Sequence, residues 1–223
     1  MTIKACLFDL DGTLVDSMGL IVASFRETAL HFKGQSPPDS VLIAGIGTPL
    51  KEQLSTFTSD LHERDAMQAF FAEYYIRNHN DHVRSFDGVQ EALKQLKEVG
   101  QKLAIVTSKN DIGANRALTH CNLKSYFDTI VTIDSTDKHK PSPDPVLKAL
   151  EDLGVNACEA VFIGDSTHDI EAGKAAGCFT AAVEWTAFER PQIEACNPDL
   201  WIQQVSEFVE LPKRITFNDS AAP

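Results

Sequence analysis

Along the chain, the spacing of apolar positions changes texture twice. Ala5-Cys6-Leu7-Phe8 is apolar on both faces and predicts a short buried strand. It ends at Asp9-Leu10-Asp11-Gly12-Thr13, where Asp-Gly marks a turn. From about Asp16 to about Val83 the period is helical. Ile21, Phe25, Ala29 and Phe32 recur on one face, and Met67, Phe70, Phe71 and Tyr74 on another. Pro37-Pro38 and the loop Gly45-Ile46-Gly47-Thr48-Pro49 interrupt this stretch, which predicts no strand.

From Phe86 onward, helical and strand patterns alternate. Val89, Ala92, Leu93 and Leu96 form a helix face that Gly100 should stop. Lys102 to Thr107 reads as a strand, Ile112 to Cys121 as a helix, and Ile130 to Ile133 as a strand. Asp144-Pro145 reads as an N-cap with proline in the first turn of a helix ended by Gly154. Val161-Phe162-Ile163 predicts a strand ending in Gly164-Asp165. A helix from about Asp169 to Ala176 and a strand from Thr180 to Val183 follow. The polar tail from Pro212 to Pro223 is expected to be poorly ordered.

Such alternation predicts an α/β fold, a parallel sheet covered by helices on both faces. Ligands of such sheets bind at the C-terminal strand ends. Asp9, Thr107 and Asp165 each follow an apolar strand, so all three are placed at one edge. The domain reading is a core of residues 1–15 and 84–223, with a helical unit of residues 16–83 inserted in it.

Charge and composition narrow the function. The formal net charge of the 223-residue chain is −12, which disfavours a nucleic-acid partner. A small anionic substrate is still compatible, because one local cationic site outweighs the mean field. Five scattered cysteines without a C-x-x-C pair suggest neither disulfides nor zinc. With no leader-like segment and no apolar run approaching ~20 residues, the expectation is a cytoplasmic protein without a membrane partner.

Each polar motif has an ordinary alternative. Asp9 and Asp11 could be a nucleophile and a general acid–base, or a solvated turn. Thr107-Ser108-Lys109 could bind phosphate oxygens, or cap a helix. Lys140, between His139 and Pro141, could steady negative charge, or be a surface lysine. Asp165 could hold a hard cation such as magnesium, and Asp169 could orient its shell or cap a helix.

Taken together and in order, Asp9-x-Asp11-Gly12-Thr13, Thr107, Lys140 and Gly164-Asp165-x-x-x-Asp169 resemble the four motifs of the haloacid-dehalogenase-like superfamily. The likeness covers essentially the whole chain. It is nearest to the branch of phosphoglycolate phosphatases and bacterial pyrophosphatases, through Phe86-Asp87-Gly88-Val89, Ile105 to Lys109, Lys140 to Pro145, Phe127-Asp128 and Pro198-Asp199. Asp87 departs from that pattern, where relatives often carry proline.

The resemblance implies a Rossmann-like core with an inserted helical cap. It implies a Mg2+-dependent phosphatase acting on a small phosphorylated metabolite, as a monomer or homodimer. Asp9 would attack phosphorus and Asp11 would serve as acid and base. Asp9, Asp165 and the Asp11 carbonyl would hold Mg2+. Asp11, Gly12, Thr107, Ser108 and Lys140 would meet the substrate, and the Gly45–Leu50 loop would set specificity or simply join two helices. A dehalogenase lacks the second acid that stands here as Asp11. A sugar phosphomutase usually carries a cap-loop arginine, absent from Gly45 to Lys51. A non-catalytic relative should have lost motif residues, and none is missing.

Overall fold

A computed structural model of the protein describes residues 2–215. The chain forms β1 (Ala5–Phe8) and β2 (Val15–Asp16). It then runs through four helices, α1 (Met18–Lys33), α2 (Asp39–Gly45), α3 (Leu50–Ser55) and α4 (Leu61–His82). Next come β3 (Arg84–Ser85), α5 (Val89–Glu98), β4 (Lys102–Val106), α6 (Asp111–His120) and β5 (Thr129–Val131). The remainder is α7 (Asp144–Leu153), β6 (Ala160–Gly164), α8 (Thr167–Ala176), β7 (Phe179–Val183), α9 (Arg190–Ala195), β8 (Leu200–Ile202) and α10 (Leu211–Arg214).

Six strands make one parallel sheet in the order β5-β4-β1-β6-β7-β8. Successive strand residues point to opposite faces, and both faces are buried. Leu7, Ala104, Val106 and Phe162 pack with Val146, Ala149 and Leu150 of α7 and Ala172 of α8. Cys6, Phe8, Ile105 and Ile163 face the other way, toward α5, α6 and the 3-10 turn Val205–Glu210. This explains why the strands are continuous apolar runs rather than alternating ones.

The predicted helical stretch forms four helices joined by short loops, with Ile21, Phe25, Ala29 and Met67 buried. Its two connections to the sheet pair with each other: β2 and β3 form a two-residue antiparallel ribbon. Strands this short leave no periodicity to read.

Three local readings are corrected. Asp144 is the first helical residue of α7 rather than its N-cap. Pro143 holds the cap position, and the Asp144 carboxylate accepts from Ser142 Oγ at 2.6 Å. The strand expected at Ile130–Ile133 stops at Val131, because Thr132 turns the chain through a capping box into a 3-10 turn. The tail does not begin at Pro212: α10 runs to Arg214, and Ile215 is buried. The rest of the expected tail lies outside the described residues. Among the described residues, no helix is long and apolar enough to cross a membrane.

Phe208 fastens the C-terminal turn to the sheet, fully buried with its ring 5.2 Å from Phe8 and 5.9 Å from Trp185. Phe208→Ala should cost about 3–5 kcal/mol in urea unfolding. A loss below about 1 kcal/mol would show that this turn does not share the core.

Candidate active site

β1 lies between β4 and β6, so three strand ends stand side by side. The register sets Phe8 level with Ile105 and with Ile163. Asp9, Thr107 and Asp165, the first residues past each strand, therefore share one edge. Backbone bonds fix two of them, from Asp9 N to Ile163 O at 2.9 Å and from Thr107 N to Val131 O at 3.0 Å.

Lys140 reaches this edge from the loop before α7 and is only 6% exposed. Its Nζ donates to Asp9 Oδ1 and to Asp169 Oδ1, each at 2.7 Å, and to the Val106 carbonyl at 3.2 Å. Asp169 Oδ2 accepts from the backbone N–H groups of Asp165 and Ser166 at 3.2 and 3.0 Å, and from Ser166 Oγ at 2.6 Å. Asp169 thus caps α8 with one oxygen and anchors Lys140 with the other. Of the two roles weighed for it, the helix cap is the one these bonds show.

The charges do not balance. Carboxylate oxygens of Asp9, Asp165 and Asp169 lie within 4.8 Å of one another around a single lysine. Burial pushes the Asp9 carboxyl up to about 7 against the pull of Lys140. Burial raises Asp165 well above the usual carboxylate range, and the neighbouring Asp169 and Asp9 add to it. Burial alone would lower Lys140, but Asp169 and Asp9 outweigh it and keep the lysine charged.

This surplus fits a divalent cation. Both oxygens of Asp169 are engaged, whereas Asp165 Oδ2 is buried with no hydrogen-bond partner. Gly12 has a φ of +82°, and a Cβ there would stand 2.1 Å from that same oxygen. Only a residue without a side chain leaves that space open. A buried, unpartnered carboxylate beside a second one suits a hard cation that prefers oxygen ligands.

Asp11 sits in a different pair. Lys109 Nζ donates to both its carboxylate oxygens at 2.7 Å, and Ser17 Oγ donates to Oδ1. The Lys109 ammonium also lies 4.9 Å from the Tyr75 ring centre of α4. Thr107 Oγ1 accepts from Lys109 N at 3.2 Å, and its own O–H has no acceptor among the described residues. The Ser108 hydroxyl donates to the Gly47 carbonyl at 2.9 Å.

The Gly45–Leu50 loop therefore docks on the strand ends. Gly47 has a φ of +103°, and a Cβ on it would stand 2.9 Å from His168 Nδ1. Between this docked segment and the strand ends lies a cavity of about 750 Å³, reached by Asp9, Asp11, Thr107, Ser108, Lys140 and Asp165.

Sequence reasoning did not anticipate Lys109, Ser17 or Tyr75 as neighbours of Asp11. Lys109 was legible in part, because it lies two residues past Thr107 at the same strand end. Ser17 and Tyr75 belong to the helical stretch, whose docking no local pattern reports. Two further pins come from the segment after β7. Thr186 Oγ1 donates to the Asp165 carbonyl at 2.7 Å, and Trp185 Nε1 to the Thr13 carbonyl at 3.2 Å.

A parallel sheet that gathers an aspartate-rich, lysine-bridged centre at three adjacent strand ends has the layout of an α/β enzyme with its site at the C-terminal strand edge. Residues 6–183 match the model of the haloacid dehalogenase-like hydrolases. The chain belongs to that family. It is 37% identical over 210 residues to a protein named pyrophosphatase PpaX from Bacillus velezensis, covering 94% of this chain and 96% of that one. It is 34% identical over 215 residues to the pyrophosphatase PpaX of Bacillus mycoides, covering 96% and 99%. Its fold is also that of a predicted phosphoglycolate phosphatase from Haemophilus somnus 129PT, with a TM-score of 0.87 at 24% identity, covering 95% and 98%.

The charge surplus has a pH signature. The carboxyls of Asp9 and Asp165 are raised when folded, so the native state holds more protons than the unfolded chain above the ordinary carboxylate range. Without a cation, stability contributed by these groups is therefore lost as pH rises toward 7. In chelator, Asp165→Asn should melt above the wild type at about pH 7.5, and the gap should narrow near pH 5. Added Mg2+ should raise the wild type more than the variant. A variant that melts lower at the higher pH in chelator would contradict this charge accounting.

Proposed function

We propose that the protein is a Mg2+-dependent phosphatase that removes phosphate from a small phosphorylated metabolite through an aspartyl-phosphate on Asp9. A phosphoglycolate-like monoester and inorganic pyrophosphate are both compatible with its relatives' names. The observation that carries the reading is the Asp9–Lys140–Asp169 bridge beside the unpartnered Asp165 oxygen. It presents one carboxylate as a nucleophile and leaves another for a cation.

Asp9 Oδ1 is held by Lys140, which leaves Oδ2 without a partner among the described residues and able to attack. A bare carboxylate repels a phosphate dianion, and Lys140 offsets part of that repulsion at Oδ1. Asp9, Asp165 and the Asp11 carbonyl would hold Mg2+, which supplies positive charge to the phosphoryl oxygens. Thr107 O–H is available to donate to the same phosphoryl group. Asp11 protonates the leaving oxygen and then takes a proton from the water that cleaves the Asp9 acyl phosphate. To do so it exchanges Lys109 for the leaving group.

In this reading residues 16–83 are a cap inserted in a core of residues 1–15 and 84–223. The β2–β3 ribbon marks the crossing, and the docked Gly47 loop excludes water from the strand ends. The five free cysteines suit a reducing cytoplasm.

Phosphate release should be followed for a panel of phosphoesters and pyrophosphate, with Mg2+ and with chelator. Metal-dependent release from at least one is expected. No release by folded, metal-supplied protein would end the phosphatase reading, and conversion of a hexose 1-phosphate to a 6-phosphate would replace it with a mutase.

Asp9→Asn should abolish turnover while melting cooperatively. Asp11→Asn should lower kcat by about 10²–10⁴-fold and slow both half-reactions. Wild-type rates in either variant would remove that residue from its role.

A further inference from the structure

The cavity is larger than phosphate chemistry needs, and its wall has a different character from its floor. At about 750 Å³ it falls among cavities that enclose whole organic ligands, ~300–1,000 Å³. Two phosphoryl groups would leave most of it unfilled. The floor is the polar edge described above. The wall is apolar: Ile21 and Phe25 from α1, Phe71, Tyr75 and Ile76 from α4, and Ile112 from α6.

The aromatic members are continuous. The Phe25 and Phe71 ring centres are 4.6 Å apart, and Phe71 and Tyr75 lie nearly parallel at 6.2 Å. Ile76 and Ile112 are 46% and 71% exposed, so a large apolar side chain from the helical segment and another from the sheet side remain uncovered. The volume is not that of a lifted lid. The Ser108–Gly47 hydrogen bond and the Lys109–Tyr75 contact already join the two sides.

Charge argues the same way. The second phosphoryl group of pyrophosphate needs cations of its own, and in the resting site buried Lys140 and part-buried Lys109 both hold carboxylates, with Lys109 alone released when Asp11 takes the leaving oxygen. Lys140 serves Asp9 and Asp169, and Lys109 serves Asp11. Lys51 is exposed and Arg116 partly so, which suits steering a phosphate inward more than gripping it. Across the whole lining, carboxylates are as many as Lys and Arg together.

Building on the phosphatase reading above, we propose that the preferred substrate is an organic phosphomonoester with an apolar leaving group of several carbons. That group lies along Phe25, Phe71 and Tyr75. The ester P–O bond breaks as the Asp9 O–P bond forms, and the alcohol leaves with the proton from Asp11. Water then attacks phosphorus and gives a proton to Asp11, and the Asp9 O–P bond breaks to release inorganic phosphate. This departs from the activity named for the PpaX relatives.

Straight-chain alkyl phosphates test it, because their leaving oxygens have nearly the same basicity while their apolar area grows. With Mg2+, kcat/KM should rise about 3- to 4-fold per methylene, the rate equivalent of about 0.8 kcal/mol. Pentyl phosphate should then exceed methyl phosphate by about 10²-fold, and should also exceed pyrophosphate and phosphoglycolate. Phe71→Ala should flatten the slope.

A flat series, or pyrophosphate or phosphoglycolate turned over faster than pentyl phosphate, would overturn this inference and leave the phosphatase intact. No metal-dependent release from any compound would overturn both together.

Discussion

Lys140 holds the carboxylates of Asp9 and Asp169 at 2.7 Å each inside a site almost closed to water. Much of the site's character follows from the charge this contact leaves over. One ammonium cannot neutralise three clustered carboxylates, and the interior offers little solvent to help. The arrangement tolerates the surplus only because Asp169 spends its second oxygen on backbone N–H groups and the Ser166 hydroxyl. Asp165 has no such relief at Oδ2, and the missing side chain at Gly12 keeps that oxygen approachable. The protein is folded around an electrostatic deficit that a divalent cation would correct, so Asp9, Lys140, Asp165 and Asp169 form one coupled unit.

The helical segment is tied to this unit at points that touch the chemistry. Ser108 and Lys109 follow Thr107 directly. One holds the Gly47 carbonyl, and the other joins Asp11 while lying over the Tyr75 ring. Ser17, at the start of α1, donates to the same Asp11 carboxylate. Movement of the segment relative to the sheet must therefore disturb the partners of Asp11, the residue assigned to proton transfer. The β2–β3 ribbon restricts that movement by binding the segment's two connections together.

What the sequence disclosed and what it hid divide along a physical line. Strands buried on both faces, such as Val161–Ile163, leave an unbroken apolar run. The polar residue that ends the run marks the edge where ligands gather, so Asp9, Thr107 and Asp165 were legible. Asp128 and Asp199 entered only as points of family likeness. In the structure they are pins: Asp128 accepts from Leu103 N at 2.8 Å, and Asp199 from Thr180 N at 2.8 Å. β8 escaped notice because Leu200–Ile202 is three residues long. The Lys109–Asp11 pair spans 98 positions and depends on how the strands are ordered, which no local pattern encodes.

The division between floor and wall explains how an acidic chain can handle an anionic substrate. A net charge of −12 repels phosphate at long range. Attraction must come from within a short distance, where Lys140, the Thr107 hydroxyl and the proposed cation would act through a medium of low polarity. An apolar wall strengthens that local field by keeping water out, whatever leaving group it also accommodates. The same side chains that enlarge the cavity thus sharpen the electrostatics of its floor. In the proposed reaction, changing the wall would alter which substrate is drawn in, while the polar floor of Asp9, Asp11, Lys140 and Asp165 would stay as it is.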